Sequence, residues 1–478
     1  MQPLPKEVSA VLSQAQQDLV HSRWRAAQDG FARALQWVPR MPQLHHNMAL
    51  CHLALGQAEQ AISSATQALV LSPQLWQSQM VQGNALKLLN RPEQADAAFE
   101  QVIQRHQGNA QALLARADLA INVFGMPLQA IEWIEPLLRD PNHAVDAQLT
   151  TLMASLYDRD ISAQALTQKV MSFASQHLCL PGGNLPPLKS AGPRRSGANG
   201  KVRPRVALLS PLFCASPVYF LTIAGWRHVA KGSDIVIFNR GHKSDWATEE
   251  FKTLAHEWHD VQAMPAEDLA LFMHKADIDY LYDLGGWMDP IGLKALSVKP
   301  AREMFKWVGG QSLTTGLQSF DGWIGDEWQS PKSLQHLYTE KLINIERGYA
   351  TYTPPPYVPN APEHKLSTPV IFSNPSKLSR RFLAWLAQLP GPKVFVHHQF
   401  RFARTREKVL RALGPNQVQF ICPGNHREAL DVIGRYEWMI DTFPYSSGLT
   451  AREAQAMGMK VKVFTGELFC ERHSLHLA

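Results

Sequence analysis

Cysteine is scarce and scattered. The five of them, Cys51, Cys179, Cys214, Cys422 and Cys470, form no CxxC pair and no Cys/His spacing of metal-ligand type. A disulfide framework and a structural zinc site are therefore not expected, which suits a reducing cytoplasm. Long apolar runs are missing as well. No stretch approaches the roughly 18 residues of a membrane span, and the N-terminal "MQPLPKEVSAVLSQAQQDL" lacks the apolar centre of a signal peptide. The excess of positive charge is small, +6 over 478 residues. A basic cluster, Lys189, Arg194, Arg195, Lys201, Arg203 and Arg205, lies among Gly and Pro with no aromatic residues between, so it reads as a solvated linker and not as a nucleic-acid arm. No GxGxxG opens a strand–helix unit and no GxxxxGK[ST] occurs, which removes the dinucleotide and P-loop readings. What remains is a cytoplasmic globular chain, 45% hydrophobic and long enough for two or three domains.

The first third repeats itself every 34 residues. Ala27, Phe31, Ala34, Leu35 and Pro39 return as Ala61, Ala65, Ala68, Leu69 and Pro73, then as Ala95, Phe99, Val102 and Ile103. A looser copy, Ala130, Ile134, Leu137 and Leu138, follows. Small residues at fixed positions let antiparallel helices approach closely, Leu55-Gly56 ends one helix and Pro73 stops the next. Such a tetratricopeptide-like array, residues 1–180, is expected to bind an extended peptide or protein. The segment 181–203 breaks the pattern with Pro and Gly and reads as a linker.

From Val206 the texture changes to short apolar runs separated by helix-sized segments: "RVALLSPL", "DIVIFNR", "IDYLYDLGG", "EMFKWVGG" and "DGWIGD". A second series follows the Pro-rich 351–362: "PVIFSNP", "KVFVHHQ", "VQFICPG", "EWMIDTFP" and "KVKVFTG". Strands alternating with helices imply parallel sheets covered on both faces. Two Rossmann-like lobes are expected, 204–350 and 351–478, with a ligand at the C-terminal ends of their strands.

Three strand ends in the second lobe share a chemistry. Lys377 follows "IFSN", "CPGNHRE" carries Asn425, His426 and Arg427, and "DTFPYSSGLT" places Ser446, Ser447, Gly448 and Thr450 at the start of a helix. A lysine, hydroxyls and a helix N-terminus form a set that holds a diphosphate, and a loop edge beside them can read a base. The histidines His228, His242, His256 and His259 of the first lobe read as solvated or core-satisfied groups in helices or loops.

In order and spacing, "KPAREMFKWVGG", "FDGWIGDEWQSP", "FSNPSK" and "DTFPYSSGLTAREAQAMGMKVKVFTGE" behind a repeat array resemble the O-GlcNAc transferase-like family, whose bacterial relatives include soluble adhesin N-glucosyltransferases. The resemblance implies an α-solenoid followed by a GT-B pair of lobes. It also implies an inverting, metal-independent transfer of a sugar from a UDP-sugar to a protein side chain, with no bound cofactor. The implied partners are an acceptor polypeptide held by the repeats and the UDP-sugar, with a homo- or hetero-oligomer possible and no nucleic acid or membrane. Lys377 matches the family's phosphate-contacting lysine, Asn374 stands where it has Gln, and Arg427 where it has Lys. Glu453 matches the acid that holds the donor's ribose, one methylene longer. Thr450 matches one of a Thr pair, Leu449 and Gly448 replacing the other Thr and a preceding His. Asp321 and Asp326 match acids of the first lobe and, with Lys377, are the candidate catalytic groups. The family's active-site His after the first strand falls at Ser216, which cannot serve as a base near neutral pH unless another group activates it. That replacement, with the changes at Leu449 and Gly448, keeps a second reading open: a binding or chaperone subunit with impaired chemistry. The chain stops soon after Glu467, so the second lobe is expected to be short at its C-terminal side.

Overall fold

The structure is a computed structural model that describes residues 5–188, 203–360 and 362–477. Most of the basic linker, residues 189–202, lies outside the described residues. Two compact units divide the chain, Met1–Thr151 and Leu152–Ala478.

The first unit is a run of antiparallel helix pairs: Lys6–Val20 with Trp24–Trp37, Pro42–Ala54 with Ala58–Leu71, Trp76–Leu88 with Pro92–Arg105, and Ala110–Asn122 with Pro127–Ile134. The 34-residue period is the period of the core. Ala27, Phe31, Ala34, Ala61, Ala65, Ala68, Ala95, Phe99, Val102, Ala130, Ile134 and Leu137 are all buried. Pro42, Pro92 and Pro127 each stand at a helix's first positions, where the missing N–H is not needed. Between repeats, Arg116 grips Asp96 at 2.9 Å and Glu100 at 2.9 Å.

The second unit begins with helical residues, including Ala163–Phe173, and continues as two parallel sheets. The first lobe has seven strands: β1 Arg205–Ser210, β2 Asp234–Asn239, β3 Glu257–Asp260, β4 Tyr280–Asp283, β5 Glu303–Lys306, β6 Gly322–Gly325 and β7 Leu342–Asn344. Their order is β3-β2-β1-β4-β5-β6-β7. The second lobe has β8 Val370–Phe372, β9 Lys393–Val396, β10 Val418–Ile421, β11 Trp438–Ile440 and β12 Lys460–Lys462, ordered β10-β9-β8-β11-β12. All ten expected runs are strands. The two not expected, β3 and β7, are the edges of the first sheet, where "EWHD" and "LIN" carry too little apolar sequence to announce themselves. His259 is consequently on a strand and not on a helix or loop, with its Nε2 3.2 Å from Glu257 Oε2. Arg203 and Arg205, at the end of the basic stretch, are not solvated. They pair with Asp234 and Glu257, each at 2.8 Å.

The second sheet is buried on both faces. Val370, Phe372, Val394, Val396 and Met439 pack on one side against Leu430 and Ile433, while Ile371, Phe395 and Ile440 pack on the other against Phe382 and Val409. Period-two alternation between two apolar layers explains why these strands read as continuous apolar runs. The order of each sheet reverses at one point, between β1 and β4 in the first and between β8 and β11 in the second. The crevice outside such a point is where open α/β sheets bind ligands.

Candidate functional site

At the second lobe's reversal point, β8 and β11 deliver their C-terminal loops side by side. Asn374 leaves β8 and accepts from the Ser376 N–H at 2.9 Å, folding a short turn that ends at Lys377. Asp441 leaves β11. It is fully buried, and its Oδ1 accepts from the N–H groups of Thr442 (2.7 Å) and Ser447 (2.8 Å), while the Ser474 hydroxyl donates to its Oδ2. This carboxylate shapes the "DTFPYSSG" loop from within. Burial raises its pKa, against the opposing pull of Ser474, Ser447 and Lys377.

Lys377 Nζ donates to the Ser446 carbonyl at 2.9 Å and lies 4.6 Å over the Tyr445 ring, so the two loops are joined at the cation. Burial pushes its pKa down, and the Asp441 carboxylate opposes that shift. Behind it, Tyr445 stacks on Tyr157 with ring centres 5.1 Å apart. Gly448 is the N-cap of the helix Leu449–Ala456 and supplies no side chain, so that helix start keeps its backbone donors for something else. The Ser447 hydroxyl is buried there without a partner. Thr450, in the first turn, is half-buried.

Glu453, further along the same helix, is buried. Its Oε1 lies 2.8 Å from His426 Nε2, and its Oε2 has no partner. Tyr357 holds the other ring nitrogen of His426 at 3.0 Å. A buried carboxylate oxygen left unpaired costs about 1–3 kcal/mol, more for a charged group, and this one retains its full capacity to accept a hydrogen bond. The structure thus brings Lys377, Ser446, Ser447, Gly448 and Thr450 to one crevice, with Glu453 further along the same helix and His426, which opens another helix, bonded to it. Asn425 and Arg427 are not drawn in. Asn425 caps the helix His426–Ile433, accepting from the Glu428 N–H at 2.9 Å, and Arg427 is exposed.

The acids of the first lobe divide. Asp321 precedes β6, at the sheet edge away from the crevice, where it binds Lys299 Nζ (2.7 Å) and the Met304 N–H (2.8 Å). Asp326 follows β6 at the ligand edge but is consumed as an acceptor, from the N–H groups of Trp328 (3.0 Å), Gln329 (2.9 Å) and Tyr349 (3.2 Å). Ser216 caps the helix Pro217–Val229. It accepts from the Val218 N–H at 3.2 Å and donates to the Leu212 carbonyl at 2.8 Å, so no activating base addresses it.

Sequence reasoning missed the segment 468–474, which laces this site to the first lobe. Cys470 N–H donates to the Ser312 carbonyl (2.8 Å), Ser446 N–H and Oγ–H both donate to the Cys470 carbonyl (2.8 Å each), and Arg472 Nε donates to the Trp328 carbonyl (2.7 Å). No short motif marks such a segment, because its first-lobe partners, Ser312 and Trp328, lie more than a hundred residues upstream. A cavity of about 520 Å³ opens beside the cis Phe443–Pro444 bond. Carboxylates of Asp158, Glu467 and Glu471 share its wall with Arg159 and Arg381, so it does not compete with the crevice as an anion site.

Among the described residues no three His, Cys, Asp or Glu side chains cluster as a metal would require, and no helix is long and apolar enough to cross a membrane.

A helical repeat unit followed by two parallel α/β lobes, with a phosphate-shaped crevice in the second, is the architecture of a repeat-bearing GT-B protein. In that architecture the chain resembles the O-GlcNAc transferase-like family. Against the O-GlcNAc transferase of Thermobaculum terrenum, solved as a mutant, the fold agrees over 99% of this chain and 86% of that one, with a TM-score of 0.63 at 20% identity. Such identity establishes the fold. Over 106 residues the chain is 26% identical to a probable UDP-N-acetylglucosamine–peptide N-acetylglucosaminyltransferase, SEC, of Arabidopsis thaliana; the match covers 22% of this chain and 11% of that protein. No protein-family model matches. A tetratricopeptide domain of Arabidopsis OM64 covers 24% of the chain at 19% identity, with a TM-score of 0.23 too low to bear an argument.

Proposed function

We propose that this chain is a glycosyltransferase that moves a sugar from a UDP-sugar to a protein side chain, with inversion and without a metal, in the cytoplasm. The observation that carries the reading is the convergence of Lys377 with the uncapped start of the helix Leu449–Ala456, both held on the buried Asp441 loop. Transfer leaves negative charge on a departing diphosphate. A desolvated ammonium and free backbone N–H groups aimed at that charge stabilise it as it develops, which is commonly the largest electrostatic contribution a site makes. Glu453 Oε2, unpaired and buried, suits a ribose hydroxyl. The helical repeats of the first unit supply a surface for the acceptor polypeptide. The Thermobaculum and Arabidopsis proteins are, by their names, O-GlcNAc and N-acetylglucosaminyl transferases, which supports the same class of reaction.

Two observations favour a second reading, a binding subunit without turnover: the Ser216 hydroxyl is spent on capping, and Asp326 already accepts from three backbone N–H groups. Isothermal titration with UDP, in excess EDTA, is the first test. Micromolar binding supports the nucleotide site. Transfer of label from a UDP-sugar to protein then supports the enzyme, and its absence the binding subunit. No binding at millimolar UDP overturns the enzyme and leaves the subunit that binds a protein partner as the leading reading.

A further inference from the structure

His473 is held at three points and free at a fourth. Its backbone N–H donates to Ser446 Oγ (2.9 Å), its carbonyl accepts from Gln329 Nε2 (3.1 Å), and its ring Nε2 lies 3.1 Å from the Gln311 carbonyl. A carbonyl oxygen only accepts, so Nε2 carries the ring proton. Burial, reinforced by Lys377, pushes the imidazole pKa down to about 3, so the ring is neutral at pH 7. Nδ1 is therefore a bare lone pair, and no hydrogen bond reaches it among the described residues. It points at the helix start: a Cβ placed on Gly448 would stand 3.5 Å from Nδ1 and 3.8 Å from Cγ. A methyl group at position 448 would just touch the ring, so Nδ1 lies directly beside the helix start.

We infer that His473 Nδ1 accepts a hydrogen bond from a hydroxyl of the sugar carried by the nucleotide, and so separates a nucleotide-sugar from the bare nucleotide. The inference rests on the UDP-sugar reading and adds a specificity residue to it. The helix start and Lys377 hold the diphosphate. An ionised phosphate has no proton to offer at neutral pH, so a lone pair beside it gains nothing from the nucleotide itself and would be left desolvated. The group bonded next to the diphosphate is the sugar, which presents hydroxyl donors. A donor-only anion site flanked by an acceptor-only imidazole matches that sequence of groups along the ligand.

The experiment is paired isothermal titration of UDP against UDP-GlcNAc and UDP-glucose, on the full chain and on two variants whose melting curves confirm folding. His473→Phe keeps the ring's bulk and loses the acceptor. It is expected to lower affinity for at least one of the UDP-sugars about 3- to 10-fold, the size of one neutral hydrogen bond, and to leave UDP within twofold. His473→Asn also loses the bond to Gln311 but can place Oδ1 where Nδ1 stands, and it is expected to retain most of the discrimination. If His473→Phe fails to fold, His473→Ala takes its place. Equal losses for UDP and UDP-sugars, no loss in either, or an Asn variant as impaired as Phe overturns the inference and leaves the nucleotide reading standing. Absence of UDP binding by the unaltered chain overturns both.

Discussion

Lys377 is a cation whose nearest described oxygen partner is a neutral carbonyl. At 2.9 Å the Ser446 carbonyl satisfies one ammonium hydrogen, and the Tyr445 ring faces the charge at 4.6 Å. Neither neutralises it, and the carboxylate acting on it is that of the buried Asp441, so on the proposed reading a diphosphate would be its second anion. Lys377→Ala should weaken UDP binding by about 1.5–3 kcal/mol, the range for a hydrogen bond to a charged group. Titration of the variant would read this directly, and an unchanged affinity would remove Lys377 from the site. The lysine was legible in the sequence because "FSNPSK" ends an apolar run. Asp441 was legible only as the end of a strand. Its role depends on three donors, Thr442, Ser447 and Ser474, and the last of these lies 33 positions away in sequence. Asp321 shows the opposite error. Two acids five residues apart flank one strand, and the rule that ligands bind at C-terminal strand ends already sets Asp321, before β6, on the far side.

At the scale of elements, the double glycines of "DLGG" and "WVGG" are a packing requirement. A Cβ on Gly309 would stand 2.0 Å from the Leu284 carbonyl oxygen, and one on Gly310 the same distance from that of Gly285, both at positive φ. Lys306, at the end of β5, secures the two loops. Its buried Nζ donates to the carbonyls of Asp283 (3.0 Å), Val308 (2.9 Å) and Gly309 (2.6 Å), and lies 3.4 Å from Asp283 Oδ2. Burial lowers its pKa while Asp283 holds it up. Lys306→Ala leaves an uncompensated carboxylate and three carbonyls in the interior, so unfolding in urea should show a loss of about 3–5 kcal/mol. A loss under 1 kcal/mol would mean that water reaches the pocket. In the sequence "EMFKW" marks a strand, and nothing in it marks the lysine as buried. Burial of that side chain follows from its place at the sheet's centre, which periodicity cannot supply. Phe395, buried between the helices of the second sheet, was legible by contrast, since an aromatic within "KVFV" has nowhere else to go. Phe395→Ala should cost about 3–5 kcal/mol by the same measurement.

For the whole molecule, three histidines set an acid limit. Burial pushes His397 and His473 down to about 3 and His476 to about 4. The unfolded chain takes up protons at these rings near pH 6.5, where the fold refuses them. Stability therefore falls as pH drops from about 6.5 toward 3–4, and the full contribution is present above that window. Melting temperature should be lower at pH 5 than at pH 7. His397→Asn keeps the cap on the Gln399 N–H and removes one titrating ring, so the drop should shrink. An unchanged drop would discharge His397 from this role. The order of a helical repeat and then two strand–helix series was readable, because period 34 and the strand–helix alternation are properties of neighbours in the chain, whereas the first compact unit ends at Thr151 and not at the expected 180. The joining of the lobes was not, because it is made by residues distant in sequence.

That joining has a consequence in genetic terms. Residues 468–474 follow the last strand, β12, and carry no strand of either sheet, yet they satisfy the Asp441 loop of the second lobe and the Ser312 and Trp328 carbonyls of the first. A stop codon at position 468 would spare every element that defines the fold in sequence while unfastening both lobes at their shared edge. Such an allele would score as a mild truncation on the map while removing the hydrogen bonds that join the two lobes.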